Sequence, residues 1–458
     1  MPWTPDLTLS DKPRYLAIAD MIAADVKSGR LAAGDRLPPQ RTLAKRLEMD
    51  FTTVARGYAE ARKRGLIDSR VGQGTFVLGA PKTAALRASA RLSADLTMNL
   101  PPEPTEPELI ELMRGGLAQV GRDLVGRLRY QGFGGSPADK DAASAWLGRR
   151  ALVPSQDRLF VTPGAHAALL GILGILAKPG DVVLCEAVTY PGVRAIAAQL
   201  GIRLVGLAMD ADGVTPAALD DACERLEPKA LYLNPTLQNP TTLTVSEERR
   251  AALADVARLH ELPIVEDDAY GFIPIRKISP FAAIAPDLTW HVAGLAKCIG
   301  AGLRAAYVVA PSAKASWPFV AALRAANVMA SPLTVALATA WIEDGTADAI
   351  LRFIRAETAA RQKLATEILP AGSFAADPLS FNLWIPLPAP WNRSSFVGHL
   401  RDTGIGVVAS DAFAAGGPPS EAVRVCIGGP STRDEIRRAL EFIGHALAEP
   451  PELASSYI

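Results

Sequence analysis

The sequence predicts a multi-domain chain: a small α+β domain of short helices and one hairpin, then a large α/β domain on a mostly parallel sheet. Three observations carry this. At 458 residues the chain is longer than one ordinary core requires. Its first eighty residues hold three short amphipathic segments, then two extended runs around a glycine-rich tip, G-Q-G. From about Asn99 onward, apolar runs alternate with helical patterns: D-V-V-L-C-E, I-R-L-V-G-L, A-L-Y-L-N, L-P-I-V-E-D-D, T-W-H-V-A-G and A-A-Y-V-V-A. Strands alternating with helices build a parallel sheet covered on its faces, and ligands then sit beyond the strands' carboxyl ends.

Composition narrows the class. Apolar residues make up 49% and charged residues 21%, ordinary for a soluble globular protein. Formal charge balances to zero, so no global field points to nucleic acid or membrane. The balance hides an asymmetry: residues 1–80 carry 13 Lys+Arg against 9 Asp+Glu, and 36–70 carry 9 against 4. A basic small segment on a mildly acidic large one points to local anion binding. Cys185, Cys223, Cys298 and Cys426 are far apart with no C-x-x-C pair, which fits reduced thiols rather than a disulfide or metal framework. The opening M-P-W-T-P-D-L lacks the basic-then-apolar pattern of a secretory signal. A-A-L-L-G-I-L-G-I-L-A (167–177) is too short to span a bilayer and reads as a buried helix. The expected location is the cytoplasm, away from membranes.

In chain order, Tyr15, Ile18, Ile22 and Val26 recur at helical spacing, with Asp11 placed to cap the helix and Gly29 to stop it. G-D-R-L-P-P (34–39) is a turn. A second short helix carries Leu43 and Leu47 one turn apart. Asp50 then caps a third, F-T-T-V-A-R-G-Y-A-E-A-R-K-R, whose Val54, Tyr58 and Ala61 face inward. Thr52, Thr53 and Arg56 are left free near its N-terminus, where a recognition helix meets base edges. After Gly65, L-I-D-S-R-V and T-F-V-L flank G-Q-G (72–74) as a hairpin wing. On shape alone this segment is either DNA-binding or a small helical domain with solvated charges. Residues 81–98, small, polar and without a buried stripe, read as a linker between domains 1–80 and 99–458.

The large domain brings chemistry from three strand ends. L-Y-L-N-P-T-L-Q-N-P-T-T (231–242) places the Asn239 amide at the sheet edge. I-V-E-D-D-A-Y-G-F (264–272) ends the next strand with acids and a tyrosine, and H-V-A-G-L-A-K (291–297) leaves Lys297 at the same rim. Each signal is weak by itself, since a lone lysine is usually a surface residue and Asn-Pro usually a turn. Together they match pyridoxal phosphate chemistry. That cofactor needs a lysine amine for its Schiff base, a carboxylate at the pyridinium nitrogen, and donors to the ring oxygen. Its phosphate needs an anion site, and T-P-G-A-H-A-A-L (162–169) opens a helix with free N–H groups.

The string GDRLPPQRTLA…TTVARGYAEARKRGLI…VGQGTFV resembles the winged helix-turn-helix of GntR-type regulators. That resemblance implies DNA contacts from Arg41, Thr52, Thr53, Arg56, Arg70 and Gly72. Many relatives carry an arginine where this chain has Phe51. Residues 99–458 resemble the fold-type I aminotransferases. By that likeness Lys297 is the Schiff-base lysine, Asp267 rather than Asp268 the pyridinium partner, and Asn239 and Tyr270 the ring-oxygen donors. Tyr190 in V-T-Y-P-G would stack on the ring, and Arg304 would bind the phosphate. Tyr130 in Y-Q-G-F-G-G would reach a neighbouring subunit's phosphate. Arg424 in A-V-R-V-C-I-G-G would grip a carboxylate. Gly294, Ala296 and Ala165 stand where relatives often have serine, which leaves phosphate binding to Arg304, Tyr130, His166 and backbone amides such as that of Ala165.

The two halves together resemble the MocR group of GntR-family regulators. The resemblance implies a homodimer that binds operator DNA in response to pyridoxal phosphate or to an amine or amino acid forming an external aldimine with it. The alternative is a pyridoxal-phosphate-dependent aminotransferase with an accessory DNA-binding domain, since Lys297 and Arg424 are both kept.

Overall fold

The computed structural model describes residues 3–5, 13–28, 30–32, 34–64, 66–70, 74–77 and 94–448, in two compact units, Met1–Arg91 and Leu92–Ile458. Asp11, Gly29 and Gly72, to which the sequence assigns a cap, a stop and a wing tip, lie outside the described residues.

In the small unit α1 (Arg14–Lys27), α2 (Gln40–Arg46) and α3 (Phe51–Lys63) bury Ile18, Ile22, Leu43, Val54, Tyr58 and Ala61 against one another. α1 runs close to α3 at Gly57, where an added Cβ would come within 3.0 Å of Ile18. A three-stranded antiparallel sheet completes the unit: β1 (Arg36–Leu37), β2 (Ile67–Arg70) and β3 (Gly74–Val77), in the order β1–β3–β2. The hairpin pairs Ile67 with Val77 and Arg70 with Gly74, as the two extended runs predict. The Tyr58 hydroxyl donates to the Pro38 carbonyl at 2.8 Å and so ties the Pro-Pro turn to α3. Tyr58→Phe leaves that buried carbonyl without its donor. The first unfolding transition of the full chain should lose about 1–2 kcal/mol, and an unchanged denaturation midpoint would show that the bond contributes nothing.

The large unit centres on seven strands: β5 (Leu159–Thr162), β6 (Val182–Glu186), β7 (Arg203–Leu207), β10 (Ala230–Leu233), β11 (Ile264–Asp267), β12 (Thr289–Gly294) and β13 (Ala306–Val309). A short hairpin, β8 (Met209–Asp210) and β9 (Gly213–Val214), follows β7. The sheet order is β5–β13–β12–β11–β10–β6–β7, parallel except for β13. All six runs read as strands from the sequence are strands, and A-A-Y-V-V-A is the antiparallel one. Helices Ala165–Leu176 and Ala313–Asn327 bury one face, with the Phe319 ring 5.2 Å from Trp290 and 5.8 Å from Phe160. Helices Pro216–Leu226 and Glu247–Leu259 bury Leu219, Leu253 and Ala254 on the other.

A second lobe follows the long helix Thr346–Ile368. Its antiparallel sheet runs β14 (Asn382–Pro386), β17 (Ala422–Cys426), β16 (Val408–Ala409), and β15 (Ile405–Gly406) pairs in parallel with β4 (Ala94–Asp95). Residues 94–98, placed in the linker by the sequence reading, therefore belong to the large unit. Leu96 is fully buried there and its N–H donates to the Gly406 carbonyl at 3.0 Å. Local polarity concealed this, because Ala94–Asp95 reads as a loop until β15 supplies a pairing edge. No helix among the described residues is long and apolar enough to cross a membrane.

Candidate functional site

Beyond the carboxyl ends of β10, β11 and β12 lies a cavity of about 390 Å³. Sheet register levels its rim: Leu233 pairs with Glu266 and Asp267 with Val292, so the segments leaving these strands open side by side. Lys297 stands on one wide turn, Ala296–Gly300, just after β12. Its Nζ donates to the Asn99 carbonyl and lies 5.8 Å from the centre of the Tyr270 ring. Burial brings the Lys297 pKa down to about 8, so the neutral, nucleophilic amine is within easy reach.

Asp267 forms the cavity wall next to it. The Tyr232 hydroxyl donates to Asp267 Oδ2 at 2.8 Å, while buried Oδ1 has no hydrogen-bond partner. Burial raises this carboxyl to about 6, against the pull of Tyr232 and Lys297. A buried carboxylate oxygen without a donor is a costly group, and a cationic ring N–H is the kind of partner that satisfies it. Asp268 is different. It is absent from the cavity wall, accepts from the Thr236 hydroxyl at 3.0 Å, and faces Arg150 at 3.2 Å. Against the cost of burial, Arg150, His291 and Arg250 hold it below the usual carboxylate range.

Arg424, buried on β17, crosses from the second lobe. Its Nη1 donates to Asn239 Oδ1 at 2.8 Å and its Nη2 to the Thr97 carbonyl, leaving Nε without a partner. The guanidinium carbon lies 4.9 Å from the Phe413 ring centre. Because Arg424 occupies Asn239 Oδ1, the Asn239 amide presents N–H donors to whatever enters the cavity. Asn234 accepts the Asn239 backbone N–H at 2.9 Å and is itself held by Glu186, which accepts its N–H at 2.6 Å. Burial lifts Glu186 to about 7.

At the other end, Gly164 precedes helix Ala165–Leu176 with φ +90°, a conformation open to glycine, and an added Cβ would stand 3.4 Å from the Arg304 guanidinium. Free helix N–H groups, Arg304 and His166 thus share one corner. Burial, then Arg304, lowers the His166 pKa and favours its neutral form. Gly294, Ala165 and Ala296 line the same wall and add no hydroxyl. Tyr190 also lines the cavity, its pKa raised chiefly by burial. Tyr130 does not: it is 83% exposed and outside the wall.

In the small unit, Arg41, Thr52 and Arg56 are exposed and Thr53 is half-buried. Two of these residues are less free than the sequence implies. The Thr52 hydroxyl donates to the capping carboxylate of Asp50, and the Arg56 guanidinium lies 4.4 Å from the Tyr15 ring centre. Phe51 is 43% exposed at the start of α3, with the Arg41 guanidinium 5.8 Å from its ring centre. Arg70 ends β2, and its side chain lies outside the description.

Sequence reasoning missed Thr97, Asn99, Tyr232 and Asn234. Asn234 sits in the first Asn-Pro of the 231–242 run, where spacing to a strand end was a usable signal. Thr97 and Asn99 had none, since long-range contacts bring them to the cavity, among them the β4–β15 pairing and the bond from the Cys426 N–H to the Leu96 carbonyl at 2.9 Å.

Residues 99–443 match the aminotransferase class I and II family, and residues 14–77 match the GntR family of bacterial regulatory proteins. The chain is 29% identical over 451 residues to the uncharacterized HTH-type transcriptional regulator YdeF of Bacillus subtilis, covering 98% of this chain and 97% of that one. It is 27% identical over 420 residues to the vitamin B6 salvage pathway transcriptional repressor PtsJ of Salmonella typhimurium, covering 90% and 93%. Among solved structures, an archaeal alanine:glyoxylate aminotransferase superposes with a TM-score of 0.71 at 24% identity, over 80% of this chain and 94% of that one. The chain therefore belongs to the aminotransferase class I and II family, here joined to an N-terminal GntR-family helix-turn-helix domain in the pairing of the MocR-like regulators.

Proposed function

We propose that this protein is a cytoplasmic, pyridoxal-phosphate-binding regulator whose grip on operator DNA responds to the cofactor or to an amine or amino acid that reacts with it. One observation carries the reading. A single cavity joins a lysine with a depressed pKa, a buried carboxylate oxygen lacking a donor and a buried arginine, in a chain that begins with a helix-turn-helix domain. The Salmonella relative's name, a repressor of vitamin B6 salvage, supports the choice of cofactor.

When bound, pyridoxal phosphate supplies an aldehyde that captures primary amines and an electron-withdrawing ring. Lys297 would hold it covalently, Asp267 Oδ1 would take the ring N–H, and Asn239 and Tyr270 would donate to the ring oxygen. Tyr190 would cover the ring. Arg304, His166 and the Ala165 amide would bind the phosphate, aided by Tyr130 from a second copy of the chain. Arg424 would hold an effector carboxylate through Nε and its terminal nitrogens.

The test pairs two measurements: visible absorption of protein loaded with pyridoxal phosphate, and affinity for duplexes selected by the protein from a random pool. Arg41→Ala and Arg56→Ala should each weaken selected-site binding, by about 1–3 kcal/mol where a base contact is lost. Arg41→Ala should also flatten the salt dependence by about one unit of slope, as expected for a lost phosphate contact. Full-strength binding by both variants would remove these two arginines from the DNA contact, whereas a wild type that selects no duplex would make the small unit an accessory domain and favour the aminotransferase reading.

A further inference from the structure

We infer that Asn99 and Asn382, which no sequence motif singles out, fix the direction in which the Tyr270 hydroxyl donates, and are positioning residues of the cofactor site. The inference rests on the pyridoxal phosphate reading above. The Pro240 backbone carbonyl can only accept, and Asn382 Nδ2 donates to it at 2.7 Å. The other end of that amide, Oδ1, is thereby turned toward Asn99 and accepts from Asn99 Nδ2 at 3.1 Å. Asn99 must then present its NH2 group on this side, and the same nitrogen donates to the Tyr270 hydroxyl oxygen at 3.0 Å.

A phenol has one proton. Where its oxygen accepts from an amide, that proton cannot point back at the amide, and for Tyr270 the remaining direction is the cavity that it lines. Asn99, Tyr270 and Asn382 are all buried, so bulk water does not scramble the order. The orientation has a cost: buried Asn99 Oδ1 is left without a hydrogen-bond partner. A flipped Asn99 would offer Oδ1 to Tyr270, take its proton, and remove a donor from the cavity. The Pro240 carbonyl, acting through Asn382, prevents this.

Asn99→Asp replaces the amide donor with a carboxylate that captures the Tyr270 proton. Pyridoxal phosphate affinity should fall about tenfold, and the pH at which the bound cofactor's visible absorption titrates should rise. Asn382→Leu removes the group that orients Asn99 and should move that titration the same way. In a Tyr270→Phe background, Asn99→Asp should shift the titration no further, because its route to the cofactor is already gone. Equal shifts in both backgrounds would overturn the relay, as would an Asn99→Asp protein indistinguishable from a wild type that binds the cofactor. A wild type that takes up no pyridoxal phosphate would overturn the underlying reading, and the relay with it.

Discussion

Lys297→Ala is expected to lose the visible absorption of lysine-linked pyridoxal phosphate completely and to release the cofactor on gel filtration. Lys297 is the lysine in the cavity wall, and no other side chain there offers a primary amine. Asp267, Asn239, Tyr270 and Arg304 remain in the variant, so weak reversible binding should persist. The wild type should also show a pH signature. Only the unprotonated amine attacks an aldehyde, and burial sets the Lys297 pKa at about 8. Cofactor capture should therefore be slow below neutrality, rise through about pH 8 and level off above it. An exposed lysine would shift the rise to near its ordinary value of about 10.4. A band that survives in Lys297→Ala would place the attachment elsewhere and remove the basis for the cofactor reading.

Most of this architecture was legible because the signals were local. β6, β10, β11, β12 and β13 are buried runs rich in apolar residues, β7 is a half-buried one, and each declares itself without reference to a neighbour. The second lobe was harder. β17 carries a buried arginine in its centre, and β15 and β16 are two residues each, too short to leave a period. The site divides in the same way. Lys297, Asp267 and Asn239 lie at or just past strand ends and could be placed by counting, whereas Asn99 reaches the cavity beside a strand pairing that spans 311 residues of sequence, Asp95 with Gly406. Thr52 shows the opposite error. Its position on α3 is as read, but the Asp50 cap takes its hydroxyl proton, a competition that helical spacing does not reveal.

Arg424→Ala is expected to abolish the response of operator affinity to a carboxylate-bearing effector. In the wild type that response should amount to about 1–3 kcal/mol of coupling. The physical route begins at the guanidinium. Arg424 Nη2 holds the Thr97 carbonyl, and Thr97 lies two residues beyond β4, in the first described segment of the large unit. A carboxylate arriving at Nε and Nη2 shares donors with Thr97, so its binding free energy depends on where the 94–100 segment sits. A ligand shifts an equilibrium only by such a differential affinity. Removing the guanidinium removes both the carboxylate's partner and the bond to Thr97. It also frees Asn239 Oδ1, so pyridoxal phosphate should bind somewhat more weakly, by about 1 kcal/mol for one neutral-range hydrogen bond. The absorption band should remain, because Lys297 is intact. Operator affinity would be measured for apo, cofactor-loaded and effector-loaded protein, with Arg424→Ala beside the wild type. Identical affinity in all three wild-type states, together with steady transamination of an amino acid, would make the large unit a working enzyme and end the regulatory reading.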